Sequence, residues 1–129
     1  MSASDLTAAI RDAAVGEIER RADGSVRQRH VFGADFPGFS GHFPGRPILP
    51  AVVQLMAASL LVEAATGQRL SMSTIERAKF VNTIVPGSLV EISARRRPGA
   101  DEAWEIRIDA DRQEAALFTL MMRPPAAAA

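Results

Sequence analysis

The chain has 129 residues, with 15 basic and 15 acidic side chains. Its zero net charge gives no reason to expect nucleic acid or an anionic membrane as a partner. There is no cysteine, which excludes disulfides, thiolate metal sites and a cysteine nucleophile. Neither histidine has carboxylates at metal-ligand spacing, so no metal is expected, and no cofactor.

This length favours one domain, long enough to bury a real core. Residues 1–13 read as an N-terminal segment, a short helix or disordered, with Asp5 a candidate cap. The first residues lack the basic-then-apolar pattern of a secretory leader, so a cytoplasmic protein is expected. Residues 14–123 form the expected domain. Residues 124–129 read as a flexible tail.

Two extended runs, Val15–Arg21 and Ser25–Phe32, flank Ala22-Asp23-Gly24, a hairpin signal. The second run shows no clean apolar face, because Gln28 and His30 alternate with Arg27, Arg29 and Val31. From Gly33 to Pro50 the chain is rich in Gly and Pro, which forbids regular helix or strand. This stretch is apolar for a loop, with Phe36, Phe39, Phe43, Ile48 and Leu49. Long apolar loops of restricted conformation are often functional.

Pro50 suits a first helical turn. Ala51–Ala65 is apolar nearly all round, so the helix is expected to be buried on almost every side, with Gly67 as its stop. The best candidate membrane span, Pro47–Ala65, carries Gln54, Glu63 and two prolines, so no membrane span is expected. After Gly67 the pattern changes to period two. Strand-like runs follow around Ile75–Val81, Val90–Arg95, Trp104–Asp109 and Ala115–Met122. They are separated by Pro86-Gly87, Pro98–Asp101 and Asp111–Gln113. Ala115–Met122 is apolar on both faces, as in a central strand. Arg95-Arg96-Arg97 reads as a solvated strand end. One helix against an antiparallel sheet is an α+β arrangement. Pairing with a second copy would cover the open sheet edge.

The order of elements resembles the hot-dog fold, an antiparallel sheet wrapped around one long buried helix. His42-Phe43-Pro44-Gly45-Arg46-Pro47-Ile48-Leu49-Pro50 is similar to the signature of 3-hydroxyacyl-acyl-carrier-protein dehydratases. Ala78-Lys79-Phe80 with Val85-Pro86-Gly87, and Leu120-Met121-Met122, resemble further parts of that family. Val52-Val53-Gln54-Leu55 is most similar to small stand-alone ApeI-like dehydratase proteins.

The resemblance implies elimination of water from a 3-hydroxyacyl thioester. It makes His42 the base, with an imidazole pKa near neutrality. It makes the backbone N–H of Ala51, in the Pro50-Ala51 step, the donor to the thioester oxygen. The family has Gly where Ala51 stands, and the added methyl narrows the approach. The family's acid stands fourteen positions after the histidine, and here that position is Met56. Glu63 is about 10 Å further along the helix axis, and Asp35 is a speculative substitute. His30, with no motif around it, is expected to be structural. Phe36, Phe39, Phe43 and Pro50 are candidate substrate-binding residues.

The implied partner is an acyl carrier protein or coenzyme A thioester. The implied assembly is a homodimer, or a heterodimer with a related hot-dog subunit that brings the acid. The alternatives are a relocated acid, a non-catalytic acyl-binding or structural subunit of a heteromeric dehydratase, and a hot-dog thioesterase.

Overall fold

Ser2 starts the first helix in the computed structural model, which describes residues 2–39 and 45–125. Helix α1 spans Ala3–Asp12. Ser2, not Asp5, is its N-cap. Ser2 Oγ accepts from the Asp5 N–H at 3.1 Å, and Asp5 Oδ2 accepts from the Ser2 N–H at 3.2 Å. Asp5 therefore closes a reciprocal capping box from the third helical position. Ile10 buries the inner face of α1 in the core.

Strands β1 (Ala14–Arg20) and β2 (Val26–Val31) form the hairpin that Asp23-Gly24 announces, with Gly24 at φ +87°. Between Val15 and Glu19 the register slips against Arg29 and Arg27, and Gly16 sits at φ +73°. Gln28 fills this bulge. Its Nε2 donates to Gly16 O at 3.1 Å and lies 3.4 Å from Val15 O. The inner face of β2 is Val26, Gln28 and His30, all buried. That face escaped the apolar pattern because polar side chains build it.

Helix α2 spans Ala51–Thr66 and ends at Gly67, whose φ of +68° is the left-handed stop. Strands β3 (Ser71–Phe80), β4 (Leu89–Arg97), β5 (Ala100–Ala110) and β6 (Gln113–Arg123) follow. All pairings are antiparallel, in the order β1-β2-β4-β5-β6-β3. The architecture is the α+β hot-dog fold. Ile92, Ile106, Ile108 and Leu120 are almost fully buried, and each such side chain contributes about 1.5–3 kcal/mol of apolar burial. Strand β6 lies between β5 and β3, and Ala115, Ala116, Phe118, Leu120 and Met122 on its two faces are buried.

Two surfaces differ from the sequence expectation. Helix α2 is not buried on almost every side. Val53, Gln54, Ala57, Ala58, Leu61 and Val62 face the core, while Val52 is 57% exposed and Leu55, Met56 and Ser59 are half-buried. Strand β3 alternates without burying either face, and every one of its residues is exposed. It is one of the sheet's two outer strands, with two register shifts against β6. Each surface leaves apolar side chains uncovered by one copy of the chain, Val52 on α2 and Met72, Ile75 and Phe80 on β3. Among the described residues, no helix is long and apolar enough to cross a membrane.

Candidate active site at the start of the buried helix

Leu49 anchors the strand-like segment that leads into α2. It is buried in the core, and its N–H donates to Ile84 O at 2.8 Å. Gln54, one turn into the helix, donates from Nε2 to Leu49 O at 3.3 Å. The segment is thus tied to the turn after β3 and to the helix it feeds.

Pro50 is the N-cap, one position earlier than a first-turn proline, with φ −64° and ψ 151°. Val53 and Gln54 donate their N–H groups to Pro50 O at 3.1 and 3.3 Å. Ala51 and Val52 are the first helical residues, and their N–H groups have no backbone partner among the described residues. Free donors at a helix start carry partial positive charge and suit a developing oxyanion. Ala51 borders a groove of about 210 Å³ lined also by Ile48, Leu49, Gln54, Phe80 and Val81, with Asn82 and Thr83. Gln54 is 5% exposed, and its Oε1 has no hydrogen-bond partner among the described residues.

His42 and Phe43 lie outside the described residues, so their expected roles have no geometry here. Met56 is half-buried against the core and brings no ionisable group to α2. Glu63 is already engaged, because its Oε2 accepts from the Leu70 N–H at 3.1 Å and fixes the approach to β3. Asp35 is exposed and lines another groove, beside Ala9, Asp12 and Ala13 of the α1 side. Neither carboxylate lines the Ala51 groove.

Phe36 and Phe39 sit in the core. Phe36 meets Phe32 edge to face at 4.7 Å and Phe39 at 5.8 Å. A Cβ on Gly38 would fall 2.3 Å from the Phe36 ring, so only glycine fits that turn. His30 is 5% exposed and stacks on Phe32 at 5.5 Å. Burial pushes its pKa down from 6.5 to about 4, which leaves it neutral at physiological pH.

The family model of ApeI-like proteins, described as ApeI dehydratase, matches residues 18–119. The chain belongs to the ApeI-like family. Sequence relatives of this ApeI-like chain include two 3-hydroxyacyl-[acyl-carrier-protein] dehydratases FabZ. The one from Cereibacter sphaeroides is 32% identical over 102 residues, covering 69% of this chain and 66% of that protein. The one from Rhizobium etli is 32% identical over 81 residues, covering 57% and 52%. The match therefore spans about half to two-thirds of those relatives' length. A chain of the dehydratase heterocomplex ApeI:P from Xenorhabdus doucetiae has the same fold. Its TM-score is 0.75 at 23% identity, covering 85% of this chain and 96% of that one.

Sequence reading missed two features of this ApeI-like chain. Gln54 was visible as the one polar residue in the first turns of an apolar helix. An open edge was expected, but not that it is β3 that stays exposed on both faces, because an alternating pattern is the same whether a core or a second chain lies beneath it.

Proposed function

We propose that this chain supplies the base and the backbone donor of a 3-hydroxyacyl-thioester dehydratase site, and that a second hot-dog chain supplies the acid. In this reading the His42 imidazole takes the proton next to the thioester carbonyl. The Ala51 N–H stabilises the enolate-like oxygen. The C3 hydroxyl leaves as water with a proton from the partner chain's acid. The substrate is an acyl chain on acyl carrier protein or coenzyme A, held beside Phe43 and Pro50 with Phe36 and Phe39 backing the loop. The observation that carries the reading is the Ala51 N–H, without a backbone partner among the described residues, behind the His42–Pro50 motif, on a helix with Met56 at the acid's position. The β3 edge, left open beside the same groove with Met72, Ile75 and Phe80 exposed, supports a shared site.

Loss of a general acid typically forfeits about 10²–10⁴ in rate. The chain alone is therefore expected to dehydrate slowly. The test follows loss of water from a 3-hydroxyacyl carrier protein, and thiol release in the same samples. Slow dehydration that His42→Ala abolishes supports the reading. Thiol release without dehydration would replace it with a thioesterase. Neither product, with acyl thioester still bound, would replace it with a non-catalytic acyl-binding subunit.

A further inference from the structure

Gln54 is the one polar side chain that α2 buries, among Val53, Ala57, Ala58, Leu61 and Val62. An amide in that place costs desolvation that an aliphatic side chain of similar size does not. Its Nε2 recovers part of that cost by donating to Leu49 O at 3.3 Å, while its Oε1 stays buried with no partner among the described residues. Both Leu49 and Gln54 line the groove that Ala51 borders.

The Leu49–Pro50 linkage has few other ties. Pro50 has no N–H to donate. The Leu49 N–H goes to Ile84 O at 2.8 Å. Among the described residues, the Leu49 carbonyl accepts only from the Gln54 side chain. The Pro50 carbonyl accepts from the Val53 and Gln54 N–H groups, and it shares a peptide plane with the Ala51 N–H. Gln54 therefore holds both peptides that lead into the helix. Its main chain holds the plane that carries the Ala51 N–H, and its side chain holds the plane before it. Any residue at position 54 supplies the first tie. The second needs a side-chain donor of glutamine's reach, which no aliphatic residue has.

We propose that Gln54 is a positioning residue, whose side-chain amide holds the Leu49 carbonyl and so sets the Ile48–Leu49 wall of the groove against the Ala51 N–H. The consequence for catalysis rests on the dehydratase reading above. Gln54 does not touch the thioester. It fixes where the thioester oxygen sits relative to Ala51, and a misplacement of about 1 Å can cost about 10²-fold in rate. Contacts to the acyl chain and its carrier are left as they were, so the loss falls on kcat and not on KM.

The test compares the whole wild-type chain with Gln54→Leu and Gln54→Glu. Gln54→Leu removes the donor but also the unpartnered oxygen, so its melting temperature should stay near wild type. Gln54→Glu can donate to Leu49 O only while protonated, and burial raises the pKa of its carboxyl. The first readout needs no substrate and follows the Leu49 and Ala51 amide signals of an isotope-labelled chain between about pH 5 and pH 8. They should move in Gln54→Leu at every pH. In Gln54→Glu they should match wild type at the acid end and depart from it as the carboxyl ionises. This titration carries the test if Gln54→Leu does not fold. The second readout is dehydration of a 3-hydroxyacyl carrier protein. In Gln54→Leu kcat should fall about tenfold or more with KM unchanged. In Gln54→Glu kcat, relative to wild type at each pH, should fall along the same titration. Amide signals that Gln54→Leu leaves in place, a Gln54→Glu chain without the titration, or a change in KM or melting temperature with kcat unchanged would each overturn the proposal. If wild type itself does not dehydrate, the dehydratase reading fails, and the amide signals alone still decide whether Gln54 holds the helix start.

Discussion

Replacing Ile75 by Glu tests what covers the β3 edge. Ile75 is 40% exposed, Phe80 43% and Val81 51%, and Met72 is exposed to a similar extent. Full burial of such a side chain contributes about 1.5–3 kcal/mol, so covering the exposed fraction contributes about 1 kcal/mol each. Four side chains from each of two copies therefore supply about 8 kcal/mol, within the range of about 4–15 kcal/mol that association costs. Backbone hydrogen bonds along the open edge add to this sum. The balance is close enough for one buried, unpaired carboxylate per copy to reverse it. Within one copy position 75 is solvated, so the fold should change by no more than about 0.5 kcal/mol. Sedimentation velocity across a range of protein concentrations is the assay. The wild type should self-associate, and Ile75→Glu should be monomeric with an unchanged circular dichroism spectrum. A wild-type dimer that Ile75→Glu leaves intact would refute the reasoning, as would a wild type that stays monomeric.

Other outcomes follow from single residues. His30 has a folded-state pKa of about 4 against 6.5 unfolded, so the unfolded chain binds more protons between those values. Its contribution is therefore complete above pH 6.5 and falls as pH drops toward 4, by about 3 kcal/mol in all. Urea titrations of wild type and His30→Phe from pH 7 to pH 4 should converge by that order. Parallel curves would contradict the burial of a neutral His30. Arg112 sits at φ +70° in the β5–β6 turn, where an L side chain is strained by about 1–2 kcal/mol. Arg112→Gly should accordingly raise the melting temperature, and calorimetry that finds it lowered would contradict the strain. Leu49 is 2% exposed, so Leu49→Ala should lower the unfolding free energy by about 2–5 kcal/mol, as measured by denaturant unfolding. A loss under about 1 kcal/mol would mean that the site's lead-in segment is not anchored as described.

The fold was legible where chemistry and pattern agree. Asp23-Gly24, Pro50 with Gly67, and the alternation of Trp104, Ile106 and Ile108 each carry a local signal that the backbone obeys. It was less legible where polar side chains took core positions. Gln28 is buried because it satisfies the carbonyls of a bulge that no pattern announces. His30 stacks on Phe32, its i+2 neighbour on the same face, and is buried only because the core covers that face. The outer face of α2 read as buried because apolarity records that a surface is covered, not which chain covers it. At the site, the motif from His42 to Pro50 located the helix start at Ala51, where the proposal places the donor. The family resemblance also pointed to Met56 as the position where the proposal finds the acid missing. The engagement of Glu63 by Leu70 depends on the path of the chain after Gly67, which spacing alone does not give.

The most direct measurement compares wild type with Met56→Glu in the dehydration of a 3-hydroxyacyl carrier protein, each as the purified chain alone. A carboxyl at position 56 restores the acid that the proposed site lacks, and the rate should rise by about 10² or more. The gain should vanish in Met56→Glu combined with His42→Ala. A wild type already as fast as the acid-bearing variant would contradict the account, because this chain would then not depend on an acid from a second one.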